Sequence, residues 1–181
     1  MKIYLASSWR NSRQPAVLAA LRAAGHEVYD FRNPAPGNAG FGWRLCDPRP
    51  PAEWSVADYL KVLDHPVARQ GFAFDMEALS GCDACVLVLP CGRSAHLELG
   101  WAAGAGKRTI VLCEKLDEPE LMYLMCERIC ASVDEVVATL AGRAADHLCG
   151  GTRCWWATVG GKRTWIHSSK SYGTCAAREQ P

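Results

Sequence analysis

The chain has no long apolar run, no surplus of either charge, no internal repeat and no low-complexity segment. Nothing in it approaches the ~18 consecutive apolar residues of a membrane span, so no membrane partner is expected. Its 20 Lys/Arg against 19 Asp/Glu leave a net charge of +1. A balance that close to zero excludes a polyelectrolyte footprint spread over the whole molecule. The opening Met1-Lys2-Ile3-Tyr4-Leu5 lacks a signal-peptide pattern and reads directly as a strand, so a cytoplasmic location is expected. Cysteine is not scarce: there are ten. With no export signal, and with Cys82, Cys85 and Cys113 in or beside apolar runs, most read as reduced core thiols rather than disulfides.

A chain of 181 residues, 49% of them apolar, can bury one substantial core and carry an appendage. Periodicity and punctuation divide it as follows. Ile3–Ser7 reads as a first strand. Gln14–Ala24 reads as a helix, with Val17, Leu18 and Leu21 at helical spacing and Gly25 closing it. Glu27–Phe31 reads as a second strand, and the Pro-, Gly- and Trp-rich stretch 33–54 as a long loop. Ser55 is placed to cap a helix over Val56–Leu63, and His65-Pro66 opens another running to Leu79. Strand Ala84–Leu89, the helix containing Glu98, strand Thr109–Cys113, a short helix Glu120–Met125 and strand Arg128–Ala131 follow. A last helix, Ser132–Leu140, is capped by Ser132 with Glu135 three residues on. Alternating strands and helices predict an α/β, flavodoxin-like (Rossmann-like) parallel sheet of five strands in the order 2-1-3-4-5. The domain spans residues 1–142, and residues 143–181 form a basic tail. Within the tail, Arg153–Val159 and Lys162–His167 flank Gly160-Gly161, the pattern of a β-hairpin.

In such sheets a ligand sits where the strand order reverses, outside the carboxyl ends of strands one and three. The segments expected to meet there are Ser7-Ser8-Trp9-Arg10 and Gly92-Arg93-Ser94 leading to Glu98. The latter opens a helix whose other residues are nearly all apolar or Gly (Ala95, Leu97, Leu99, Trp101, Ala102, Ala103), so the helix is expected to be buried all round. A lone carboxylate there is costly unless it is used, and a semi-buried anion facing a crevice is what a carboxylate nucleophile needs. Asp75, in Phe74-Asp75-Met76-Glu77 on the helix before the third strand, is the candidate partner acid. Two acids in one crevice push their pKa values apart, so that one can hold a proton for a leaving group while the other attacks. No metal and no cofactor is required by that chemistry. Plainer readings stand beside these: Glu98 as a snorkelling helix residue, Asp75 as a surface residue, Asp83 as a turn or cap residue, Ser94 as an N-cap, Arg10 and Arg93 as solvated loop arginines, His96 as a surface or supporting residue, and Tyr4 as core. Trp9, Trp43 and Trp54 are candidates for stacking on a base or for loop packing.

Ile3-Tyr4-Leu5-Ala6-Ser7, Phe74-Asp75-Met76-Glu77 with Asp83-Ala84-Cys85-Val86-Leu87-Val88, and His96-Leu97-Glu98-Leu99-Gly100 with Gly106-Lys107 resemble the nucleoside 2-deoxyribosyltransferase family and its relatives, the deoxynucleoside 5′-monophosphate and CMP N-glycosidases. The resemblance covers residues 1–142. It implies cleavage or exchange of the base of a (deoxy)nucleoside or its 5′-monophosphate, with Glu98 as nucleophile and Asp75 as the acid/base or sugar-orienting residue. It places Ser7 and Arg10 where monophosphate-cleaving members hold phosphate, and Ser94 in a loop that supplies a serine to the substrate. It also implies a homodimer or larger assembly, because relatives complete their sites across subunits. Arginines beside the crevice favour hydrolysis over transfer. Ser94 with Glu98 four residues later also resembles the catalytic segment of Toll/interleukin-1-receptor-like NAD hydrolases. A non-catalytic nucleotide sensor is the third reading.

The tail carries six Lys/Arg against two acids, a net +4 that leaves −3 for the rest of the chain. Four charges argue against a nucleic-acid partner. Cys149, Cys154, His167 and Cys175, with His147 near, are the residues a tail zinc site would use, but the tail lacks the CxxC pairing of such sites and none is expected.

Overall fold

The third strand explains the architecture. In the computed structural model, which describes residues 1–142 in full and beyond them only the backbone of three strand segments, Ala84–Val88 (β3) is buried at every position. Side chains alternate across a strand. Ala84, Val86 and Val88 therefore enter one apolar layer, and Cys85 and Leu87 enter the other. A strand buried on both faces belongs in the middle of a parallel sheet.

Lys2–Ala6 (β1) lies beside it, then Glu27–Tyr29 (β2); on the other side lie Arg108–Leu112 (β4) and Arg128–Cys130 (β5). The order is β2-β1-β3-β4-β5, all parallel, as the strand–helix alternation predicts. Ile3 pairs with both Val28 and Ala84, and Tyr4 lies between Tyr29 and Cys85. Asp83 sets the start of this register. Its carboxylate accepts the Lys2 N–H at 2.7 Å, and its own N–H donates to the Lys2 carbonyl at 2.8 Å. Asp83 is thus the turn residue of the plainer reading.

Gln14–Ala23 (α1) and Val133–Ala141 (α5) cover one face of the sheet, contributing Val17, Leu21, Val136 and Leu140 to the core. Pro66–Gly81 (α3) and Arg93–Gly104 (α4) cover the other, contributing Leu79, Ala95, Leu99 and Ala102. Val56–Leu63 (α2) precedes α3. Its start is set by a capping box in which Ser55 and Asp58 satisfy each other's backbone N–H groups. Ser132 likewise accepts the Glu135 N–H, while the Glu135 carboxylate reaches back to the N–H of Ala131. Gly25, at φ +85°, ends the first helix in the left-handed conformation that favours glycine.

Several expectations need correction. Helix α4 is not buried all round: Leu97 is 75% and Trp101 41% exposed, so only the Ala95–Leu99–Ala102 stripe enters the core. The short helix expected over Glu120–Met125 is a 3₁₀ turn, Leu121–Met125, with Glu120 as its cap. The second strand ends at Tyr29, because Asp30 turns inward to take the Gln14 amide at 3.0 Å instead of extending the ladder. The 33–54 loop holds 3₁₀ turns at Trp43–Leu45 and Pro51–Glu53.

Beyond residue 142, Leu148–Cys149 (β6), Thr152–Val159 (β7) and Lys162–His167 (β8) pair antiparallel in the order β6-β7-β8. Trp155 faces Ile166 in that register, and Trp156 faces Trp165. The Gly160-Gly161 turn and the tail side chains weighed for zinc lie outside the described residues.

Candidate active site

The sheet brings two loops together at its carboxyl edge. Ser7 follows β1, and its hydroxyl donates to the Val88 carbonyl at the end of β3, 3.0 Å away. Asn11 closes the junction: its amide donates to Ser7 Oγ, to the Val88 carbonyl and to the Pro90 carbonyl at 3.1–3.2 Å. Arg32 braces the same loop from beyond β2, donating to the carbonyls of Ser8, Trp9 and Asn11. Asn11 and Arg32 thus satisfy the backbone carbonyls of this partly buried reversal. Ser7-Ser8-Trp9-Arg10 is therefore held against the loop that leads into α4, where the topology places a ligand.

Helix α4 begins at Gly92, which is its N-cap, so Ser94 is not the cap residue of the plainer reading. Arg93 and Ser94 stand exposed in the first turn. Ser7 is committed inside the fold, since its hydroxyl proton goes to Val88 and it accepts from Asn11. Ser8 Oγ accepts the Arg10 backbone N–H at 3.2 Å, and Arg10 is exposed.

Glu98, one turn into α4, is half-buried above Tyr4 of β1. Burial, and then the charge of Asp75, push its carboxyl up to about 7; a hydrogen bond from the Tyr4 phenol opposes them. Asp75 on α3 is also raised by burial, with the Tyr29 hydroxyl, which donates to Oδ1 at 2.8 Å, opposing. Among the described residues neither carboxylate belongs to an ion pair. Two coupled carboxyls titrate as a unit. Each is pushed toward its protonated form, Glu98 by burial and by the charge of Asp75, Asp75 by burial. The two phenols share the desolvated site: their rings stack at 5.3 Å, and both hydroxyls are held far above their ordinary range, first by burial.

Cys91 and His96 flank the same helix. The Cys91 thiol is pushed up to about 11 by burial and by Glu98. His96 Nδ1 lies 3.0 Å from the Gly92 carbonyl, which can only accept, so Nδ1 carries the proton and Nε2 accepts from the Tyr123 hydroxyl at 2.9 Å. His96 is thus a supporting residue that ties α4 to the 3₁₀ turn. A cavity of about 210 Å³ lies on that flank, lined by His96, Leu99, Tyr123 and Cys126, and neither acid lines it. Among the described residues no cluster of His, Cys, Asp or Glu is arranged to hold a metal ion.

The three tryptophans divide. Trp43 packs edge-on against Phe41, Trp54 and Tyr59, which is loop packing. Trp9 is half exposed at the crevice rim, edge-on to Phe31, with the Arg32 guanidinium 5.7 Å above its ring. Gly40, at φ +79°, lets the long loop reach this ring: a Cβ there would stand 2.7 Å from it.

Sequence reading missed Tyr29, Asn11 and Arg32 as parts of the site, and it took Tyr4 for core alone. Tyr4 is core, at 1% exposed, yet its hydroxyl also serves Glu98.

No family model and no curated protein sequence matches this chain. Solved structures do. The 2-deoxyribosyltransferase of the psychrotolerant bacterium Bacillus psychrosaccharolyticus is similar over 77% of this chain and 96% of its own, at a TM-score of 0.50 and 22% identity. The CMP N-glycosidase BcmB of Clostridium botulinum is similar over 78% of this chain and 100% of its own, at a TM-score of 0.45 and 19% identity. What the first of these establishes is a common fold, the five-stranded parallel α/β sheet described above.

Glu98 carries a measurable consequence for stability. Its folded pKa of about 7 stands above the ordinary 4.5, so the folded state is favoured by the protonated form and loses stability as pH rises from 4.5 through about 7. Glu98→Gln cannot ionise. Its urea midpoint relative to wild type is expected to climb across that window and level off by about pH 8. A difference that stays flat with pH would show that burial does not perturb this carboxyl.

Proposed function

We propose that the protein cleaves, or exchanges, the base of a (deoxy)nucleoside or its 5′-monophosphate, with Glu98 as the nucleophile and Asp75 as its proton-handling partner. The observation that carries this reading is a pair of interacting, half-buried carboxyls at the carboxyl edge of the sheet, with no ion-pair partner among the described residues. Cleaving an N-glycosidic bond builds positive charge on the sugar, and an unpaired anion in a dry crevice is suited to meet it. The fold shared with a 2-deoxyribosyltransferase supports the same chemistry.

In the forward step a Glu98 carboxylate oxygen bonds to the anomeric carbon. The bond from that carbon to the base nitrogen breaks, its electron pair leaves with the base, and the base takes the Asp75 proton. Water then attacks the anomeric carbon, its proton passes to Asp75, and Glu98 departs as carboxylate. A second base in place of water gives transfer. In this reading Arg10 of the loop after β1, with Arg93 and Ser94 in the first turn of α4, binds a 5′-phosphate beside the helix N-terminus. Ser7 and Ser8 build the loop that presents them, Gly92 lets the chain turn into the helix, and Trp9 offers a ring face at the rim. Phosphate-binding arginines favour hydrolysis of a monophosphate over transfer. Residues 1–142 form the unit that does this, with 143–181 as its appendage.

Incubation with a panel of nucleosides, 5′-monophosphates and NAD, followed by chromatography of the released base, tests the assignment. Free base is expected from at least one nucleoside or monophosphate, with Glu98→Ala slower by at least about a thousandfold. Nicotinamide release alone would move the assignment to NAD hydrolysis. Equal release by Glu98→Ala would end the nucleophile role.

The cycle needs Glu98 ionised and Asp75 protonated, so the pair must hold a single proton. The last proton leaves at about 7. The kcat/KM profile is therefore expected to fall as pH rises through that value. A rate that climbs through it and stays high in alkali would mean that the pair donates no proton.

A homodimer or larger assembly belongs to the same reading. Leu97 and Trp101 on α4 stand exposed one turn apart, and Leu121, Met122 and Leu124 of the following 3₁₀ turn are exposed as well. Apolar surface of this kind is normally covered by a partner. Sedimentation velocity is expected to give a dimer or larger, with Leu97→Asp shifting it toward monomer; a monomeric wild type at working concentration would refute the assembly.

A further inference from the structure

Helix α3 supplies Asp75, but a residue 46 positions earlier decides which of its oxygens is available. The Tyr29 hydroxyl donates to Oδ1 at 2.8 Å. Among the described residues nothing hydrogen-bonds Oδ2. Tyr29 is itself held in place: it is the last residue of β2, pairs in register with Tyr4 of β1, and stacks on the Tyr4 ring at 5.3 Å and 19°. We propose that Tyr29 is a positioning residue for the acid pair, fixing Asp75 through Oδ1 so that Oδ2 is the one oxygen the carboxyl presents to a ligand in the crevice.

The inference deepens the glycosidic reading above and rests on it for its catalytic meaning. The proton that Asp75 passes to a departing base, or takes from water, then moves through Oδ2. The orientation of the carboxyl is set by a strand rather than by the ligand, which is the rigid support such sites need. Tyr29 also decides how readily the pair gives up its first proton. A donor on Oδ1 favours the carboxylate and opposes the burial that disfavours it. The ionisable groups around the pair belong to the same network. Tyr4 and Glu98 act from β1 and α4, and Asp30, just past β2, acts on Tyr29. Removal of the Tyr29 hydroxyl therefore shifts the first proton loss to higher pH.

Tyr29→Phe keeps the ring and removes only the hydroxyl. Its test is the titration of the Asp75 carboxyl carbon by ¹³C NMR, assigned with Asp75→Asn, beside the pH profile of base release. The Asp75 midpoint is expected to rise by about one pH unit, the worth of one hydrogen bond to a charged group, and the acidic limb of kcat/KM to move up with it. Fluorotyrosine at position 29, a stronger donor on the same frame, moves the midpoint down and serves if Tyr29→Phe does not fold. A merely structural Tyr29 would lower Tm in Tyr29→Phe and leave the midpoint where it was, and that result overturns the proposal. The titration is read without turnover. If no base is ever released, the glycosidic reading fails while the positioning of Asp75 is still decided.

Discussion

The structure depends on holding two carboxyls half out of water with no counter-ion for either among the described residues. Burial of an unpaired charge is expensive, and proteins usually avoid it by pairing or by neutralisation. Here both routes are partly closed. The phenols of Tyr4 and Tyr29 supply one donor to each acid, enough to satisfy an oxygen but not to cancel a charge. The remaining cost pushes both carboxyls toward their protonated forms. That is a poor arrangement for stability and a useful one for chemistry that needs a nucleophilic carboxylate and an acidic proton within one crevice.

What holds the pair in this condition is the sheet rather than the helices that carry it. Tyr4 and Tyr29 are register partners on β1 and β2, so their stack follows from the backbone ladder. Helix α4 presses Glu98 onto that platform because Ala95, Leu99 and Ala102 are small enough, or apolar enough, to lie against the sheet. The crevice mouth is stitched separately. Asn11 bonds across from the β1 loop to the β3 loop, and Arg32 takes three carbonyls of the former. The Ser7 hydroxyl is spent in this stitching, between the Val88 carbonyl and the Asn11 amide.

The fold could be read from the sequence because its determinants are local: period-two apolar runs for the strands, Ser55 and Ser132 as caps, Gly25 as a stop. Glu98 was legible for a related reason, being the single acid in a helix of small and apolar residues. The error about that helix has a physical source as well. Apolar content alone does not say which side of a helix each residue faces. Leu97 and Trp101, one turn apart, are the bulky pair on one side, and the small residues Ala95 and Ala102 mark the side that enters the core. Tyr29 and Arg32 were not legible. Their partners lie 46 residues away in one case and about twenty in the other, and no spacing rule links a strand-end phenol to a helix carboxylate or a guanidinium to three loop carbonyls. Only the β1–β2 register, which sets Tyr4 beside Tyr29, makes the second phenol necessary once the first is placed.

Attack would require the charge on Glu98, whereas burial and the charge of Asp75 both push Glu98 toward its protonated form. On the proposed reading the reactive arrangement is the singly protonated pair with its proton on Asp75. A bound sugar can favour it by bringing developing positive charge to Glu98 and a basic nitrogen to Asp75, neither of which acts on the empty crevice. On the proposed glycosidic reading, such a site would be held partly off until substrate arrives, and an ester would form only once the group that needs the proton is in place. This reading rests on neither acid having an ion-pair partner among the described residues. An arginine beside Glu98 would ionise it permanently and would also neutralise the charge the sugar needs, so the unpaired, proton-sharing pair is the arrangement that keeps both functions.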